Sequence, residues 1–218
     1  GSTSLMQQAT TTDPPADCYL CPRLVDYRQE LRAKKPDWFN GAVPSFGPHN
    51  AWLLIVGLAP GATGANRTAR PFTGDYAGDL LYQTLAAFGF SKGVYDRRVD
   101  DGLELVNCRI TNAVRCVPPQ NKPIGAEIKT CRQFLVAELS RECRPQAVLA
   151  LGRIAHDSLL SALELPRSSY PFSHCAKHNV GRNQILYDSY HCSRYNTNTG
   201  RLTPKMFNEV FDIIHADL

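Results

Sequence analysis

No stretch of this sequence comes near the roughly 18 consecutive apolar residues that a membrane-spanning helix requires, and its N-terminus has no charged segment leading into an apolar one. A soluble, cytoplasmic protein with no membrane partner is expected. Internal repeats and low-complexity linkers are missing too, which favours one compact unit. Nor is the charge one-sided: a net +4 permits a polyanionic partner without arguing for one. Eight cysteines in 218 residues are too sparse for a disulfide scaffold, so metal binding is the better expectation for them. The chain is long enough for a full core and too short to need two domains. Gly1 and Ser2 read as a tag remnant and residues 1–13 as a loose, Thr-rich tail, which leaves one domain over 14–218.

What the sequence does contain is four apolar runs separated by helical patterns. Ala51 to Leu58 (AWLLIVGL) is continuously apolar and ends near glycine, as a strand buried on both faces of a parallel sheet does. Leu105 to Thr111, Ala147 to Leu151 and Gln184 to Tyr187 fit the same role. Leu80, Leu81, Thr84, Leu85 and Phe88 recur with helical spacing, and further helices are expected over 125–144, over 154–163 and from Pro204 to about His215. This alternation predicts a three-layer α/β/α fold with a central four-stranded parallel sheet, whose ligand should sit at the carboxyl ends of the strands.

Cys18 and Cys21 form a C-x2-C pair before Pro22, Cys116 follows the second strand, and Cys131 lies within the next helix. Four thiolates from two distant segments suit either a tetrahedral Zn²⁺ or a [4Fe–4S] cluster, and spacing alone does not choose between them. The bland alternative is a chance C-x2-C with two ordinary buried cysteines. Cys108, Cys143, Cys175 and Cys192 are read as non-ligands, and His174-Cys175-x2-His178 lacks a second pair to complete a site.

The loop that leaves the first strand, from Gly57 through Leu58, Ala59 and Arg67 to Asp75, combines small residues, an aromatic at Phe72 and an acid close to a helix start. Asp75 reads equally as a helix N-cap. Asn112 ends the second strand, where an amide can read the edge of a planar heterocycle or simply form a turn. After the fourth strand, His191 opens a segment rich in hydroxyls, amides and arginines, of the kind that contacts phosphates or forms a solvated loop.

Taken together, C-P-R-L after Cys18's C-x2-C start, GLAPGATGANRTARPFTGD from Gly57, TNAVRCVPPQNKP from Thr111, ALGRIAHDSLL from Ala150 and HCSRYNTNTGRLT from His191 resemble the uracil-DNA glycosylase superfamily, specifically its iron–sulfur family 5 (type b). The resemblance covers the chain from about Asp17 to its end. It implies a [4Fe–4S] cluster on Cys18, Cys21, Cys116 and Cys131. It also implies a monofunctional glycosylase that flips uracil out of DNA and hydrolyses its N-glycosidic bond. By motif position Phe72 is similar to the aromatic that stacks on uracil, Asn112 to the amide that reads its edge, Asp75 to the catalytic acid and His191 to the histidine at uracil O2, with Gly57, Leu58 and Ala59 beside the base. Arg67, Arg194, Tyr195, Asn196, Asn198, Thr199 and Arg201 are expected to contact the DNA, double-stranded and bound by a monomer.

The chain departs from the family pattern at Thr63 (a frequent histidine), Ala69 (a frequent glycine) and Cys192 (usually proline), and Ala59 stands where other branches place a polar, water-activating residue. Rival readings are a broader glycosylase for deaminated bases such as hypoxanthine or xanthine, a damage-binding protein without turnover, and an iron–sulfur scaffold unrelated to DNA.

Overall fold

Strand β1 (Leu53–Gly57) is the second strand of a five-stranded sheet of order β4-β1-β5-β7-β6 in a computed structural model that describes residues 12–140 and 145–218. Its neighbours are β4 (Cys108–Asn112) and β5 (Ala147–Leu151), and β7 (Gln184–Ser189) pairs with β5. All of these pairings are parallel. Each residue of β1, β4 and β5 is buried, because helices cover both faces. Leu53 and Ile55 pack against α3 (Tyr76–Ala87) and α7 (Pro204–Ala216) through Leu81, Leu85, Phe207 and Phe211. Leu54 and Val56 face α4 (Gly125–Ser140) and α5 (Arg153–Ala162) through Leu135, Leu139, Leu159 and Leu160. At about 1.5–3 kcal/mol for each fully buried aliphatic side chain, this double core is the main stabilising term.

The four expected parallel strands are therefore present between two helical layers. A fifth strand, β6 (Lys177–Gly181), runs antiparallel along the β7 edge and was not expected from the sequence. It has no apolar run because it is an edge strand with alternating exposure, and it joins β7 through Arg182 and Asn183, both at positive φ (53° and 60°) as a primed hairpin turn requires. The run expected to start at Leu105 is split. Leu105 belongs to β3 (Glu104–Leu105), which pairs with β2 (Ser91–Lys92), and Asn107 at φ 55° breaks the chain before β4.

Helix α1 (Pro22–Lys34) was likewise not expected from the sequence. Its buried residues are Leu24 and Arg28, so no apolar stripe announces it. Arg28 is held by the carbonyl of Cys18 at 2.9 Å and lies 3.6 Å from Cys116 Sγ. The expected tail boundary shifts as well: Asp13 accepts from the Ser45 amide and the Arg115 guanidinium, each at 2.8 Å, and Arg115 donates to the Thr12 carbonyl. Residues 1–11, and residues 141–144 at the end of the expected 125–144 helix with Cys143 among them, lie outside the described chain.

Candidate active site

The carboxyl ends of the parallel strands open into one cleft of about 1280 Å³. Leu58 and Ala59 enter it after β1, Asn112 from the tip of β4, Gly152 and Arg153 after β5, and His191 after β7. Phe72 and Asp75 reach the same cleft from the segment between α2 (Ala65–Thr68) and α3. Gly57, the last residue of β1, pairs in register with Asn112. A Cβ at Gly57 would stand 2.4 Å from Phe72 Cζ and 2.6 Å from Asn112 Oδ1, so only glycine lets ring and amide meet there.

Phe72 is buried and held at φ 55°, a left-handed backbone that a bulky residue adopts only under constraint. Its ring centroid lies 5.8 Å from that of His191. Two buried polar atoms face this aromatic wall without a partner in the protein: Asn112 Oδ1 and His191 Nδ1. Unsatisfied buried groups are costly and rare, so a pair of them in one cleft marks a ligand's position. Burial also pulls the His191 pKa down to about 4, which leaves a neutral imidazole at pH 7.

The N-cap reading of Asp75 takes up only one of its two oxygens. Oδ1 accepts the Gly78 amide at 3.3 Å and caps α3. Oδ2 is turned toward the β1 loop, where a Cβ on Gly64 would stand 2.3 Å from it and one on Gly61 3.0 Å. Burial, with the Asp79 carboxylate as a smaller contributor, raises the Asp75 pKa, while Arg97 opposes that rise. Arg97 is ion-paired to Asp79 at the rim of the cleft. Cys192 is fully buried beside the same helix start and donates to the Ala77 carbonyl at 3.5 Å, so the residue that replaces the usual proline is bonded into place.

Of the expected nucleic-acid contacts, Arg194, Tyr195, Asn196 and Arg201 line the cleft. The first three belong to α6 (Arg194–Asn198), capped by Ser193, whose hydroxyl accepts the Asn196 amide at 3.2 Å. Asn196 Nδ2 donates to the His191 carbonyl at 2.9 Å and so joins this exposed turn to the half-buried histidine. Tyr195 stands 73% exposed at the rim, a large aromatic with no core to fill. Asn198 and Thr199 are exposed outside the cleft lining, and Arg67 folds back to donate to the Thr63 carbonyl at 2.8 Å. Arg97, Arg153 and Phe172 line the cleft without having been anticipated. Arg153 had a usable signal, since it directly follows a strand-ending Leu-Gly.

Away from the cleft floor, Cys18, Cys21, Cys116 and Cys131 surround a small apolar pocket with Leu24, Val114 and Phe134. Burial and the neighbouring thiols raise Cys21 to about 11, and burial above all raises Cys116 to about 12. Arg28 opposes the rise at Cys116, and Arg115 opposes it at Cys131. Four cysteines around one pocket, with two buried arginines beside them, suit a tetrathiolate centre of net negative charge. Cys108 is fully buried and Cys175 half-buried, both away from this pocket. Among the described residues, the group whose ligand atoms all lie within 4.8 Å of one another is His156, His178 and Asp188, not the cysteines. Its atoms are already engaged with one another and with the Tyr170 carbonyl, at 2.6, 3.1 and 2.7 Å.

Residues 44–215 match the family model described as the uracil DNA glycosylase superfamily. A type-5 uracil-DNA glycosylase of Thermus thermophilus is 45% identical over 199 residues, which cover 88% of this chain and 90% of the relative. A type-5 enzyme of Mycobacterium leprae is 42% identical over 209 residues, 89% of this chain and 88% of the relative. Similarity to a type-4 uracil-DNA glycosylase of Archaeoglobus fulgidus is 34% over 124 residues and covers 56% of this chain and 54% of that one.

Proposed function

The chain belongs to the uracil DNA glycosylase superfamily, and we infer from this and from the cleft that it excises uracil from DNA during repair, hydrolysing the N-glycosidic bond to leave an abasic site. The observation that carries the reading is the pair of unpartnered buried atoms, Asn112 Oδ1 and His191 Nδ1, facing Phe72 in a cleft that also holds Asp75. A stacked base is out of reach of any such cleft, so the nucleotide is extruded, at a cost of a few kcal/mol that is smallest at a mispair. Phe72 then stacks on the uracil ring, Asn112 Oδ1 accepts from N3–H, and the neutral His191 imidazole donates to O2.

Breaking the C1′–N1 bond sends the electron pair to the base, and the sugar becomes cationic. A donor at O2 and a fixed carboxylate near C1′ both lower that barrier. Asp75 Oδ2 stabilises the sugar cation and takes the proton of the attacking water, for which its burial-raised basicity suits it. Arg194, Tyr195, Asn196 and Arg201 contact the DNA, with Asn198 and Thr199 at the exposed end of the same turn. We place the substrate as double-stranded DNA bound by a cytosolic monomer. No helix among the described residues is long and apolar enough to cross a membrane.

Cys18, Cys21, Cys116 and Cys131 would hold a [4Fe–4S] cluster. Bound there, the cluster would supply a cross-link outside the cleft, since none of its four ligands lines it. A panel of duplexes carrying uracil, hypoxanthine or xanthine opposite each normal base tests the reading. Excision of uracil above the purines is the expected order, and equal excision of all three would favour the broader enzyme.

A further inference from the structure

We propose that Tyr95, which neither the motifs nor the cleft lining single out, is the positioning residue that sets the uracil-stacking ring of Phe72 relative to Asp75. The proposal rests on the functional reading above and concerns how its site is held. The segment 71–74 connects the two site residues, and its polar backbone atoms are claimed by side chains from outside it. Tyr95 Oη accepts the Gly74 amide at 3.2 Å and lies 3.4 Å from the Phe72 carbonyl, to which it donates. Tyr82 Oη donates to the Pro71 carbonyl at 2.6 Å.

The two tyrosine rings stack at 4.4 Å, and the Arg70 guanidinium lies over both, 5.6 Å from Tyr82 and 5.8 Å from Tyr95. Arg70 is locked in turn by two 2.8 Å bonds to Asp101, a pair whose side chains are almost wholly buried, and by a 2.8 Å bond to Thr73 Oγ1. Beneath the segment, a Cβ at Gly78 would stand 1.7 Å from the Phe72 carbonyl oxygen, so the strand of chain cannot sink toward the helix. Phe72 at φ 55° cannot hold this geometry on local preference alone. The Tyr95 hydroxyl is the point at which the cradle bonds on both sides of Thr73, between the stacking residue and the acid.

Tyr95→Phe keeps the ring stack and removes only the hydroxyl. Two hydrogen bonds then vanish from the strained segment, and a shift of well under 1 Å is enough to slow an oriented reaction markedly. The expected result is a single-turnover uracil excision rate about tenfold lower or more, with affinity for abasic-site duplex and the thermal midpoint close to wild type. An unchanged excision rate would overturn the proposal. So would a parallel loss of rate, abasic-site affinity and midpoint, because that pattern is a general structural defect. The wild-type arm separates the two levels: a wild-type chain that releases no uracil removes the functional reading, and this proposal with it.

Discussion

The carboxylate of Asp75 lies against Gly64 so closely that a methyl group at position 64 would stand 2.3 Å from Oδ2. The acid is thereby confined between its own helix, which holds Oδ1, and the loop after β1. Gly64→Ala should push the carboxylate out of this slot and slow excision by roughly 10²-fold, the loss expected for a misplaced reactive group. Binding of uracil-containing duplex should be retained. Measurement of both in one titration checks the claim, and a Gly64→Ala rate equal to wild type would remove the confinement from the mechanism.

Asp75→Asn separates catalysis from capping. Asparagine is as good an N-cap as aspartate, so the Gly78 bond persists. A carboxyl whose folded pKa is raised above its unfolded value is destabilising in its charged form, with the penalty growing as pH rises from the unfolded pKa through the folded one. At neutral pH the variant should thus be at least as stable as wild type in urea unfolding, while excision falls by about 10²–10⁴-fold. A drop in stability with little loss of rate would mean that Asp75 is only a cap.

His191 gives the opposite sign. Its folded pKa of about 4 lies below the ordinary 6.5, so the unfolded chain binds the extra proton between those values. Stability contributed by the neutral ring is complete above pH 6.5 and is lost as pH falls toward 4. His191→Asn should flatten the stability profile across that window. The wild-type excision rate should show no His191 titration between pH 6 and 8, and an inflection there that vanishes in His191→Asn would contradict the neutral assignment.

Ala69 occupies a left-handed conformation, φ 70°, as the C-cap of α2, at the position where the family pattern carries glycine. The strain of about 1 kcal/mol that a Cβ meets there is partly offset by alanine's smaller loss of chain entropy. Ala69→Gly should therefore raise stability by about 0.5 kcal/mol and leave excision unchanged. Equilibrium unfolding of the two proteins measures it.

A cluster on Cys116 and the other three cysteines would tie α1 and the loop after Asn112 to α4. Cys116→Ala should lower bound iron and the thermal midpoint together, with activity per folded molecule falling less. Iron and acid-labile sulfide analysis beside thermal unfolding checks the order of losses. Zinc in place of iron in the wild-type protein would assign the same four ligands to a different metal.

The sheet was legible because β1, β4 and β5 are buried on both faces and leave uninterrupted apolar runs, most cleanly Ala147–Leu151. Strand β6 and helix α1 were not, since an edge strand such as Lys-His-Asn-Val-Gly needs no apolar pattern and α1 buries an arginine where a stripe of leucines would have shown. Within the cleft, Phe72, Asp75, Asn112 and His191 stood out through the motifs around them. Tyr95, Arg70 and Asp101 did not, because their joint role depends on a ring stack between Tyr82 and Tyr95 and an ion pair between residues 31 apart, which no local spacing encodes. Arg67, expected from the sequence to contact DNA, also braces its own loop through the Thr63 carbonyl, a bond no local pattern announces.

The central claim is tested most directly by incubating the purified protein with a duplex carrying one U·G pair and then treating it with alkali. The account predicts strand scission at the uracil by the wild-type protein and its loss in Asp75→Asn. An intact strand with the wild-type protein, under conditions where it binds the duplex, would contradict it.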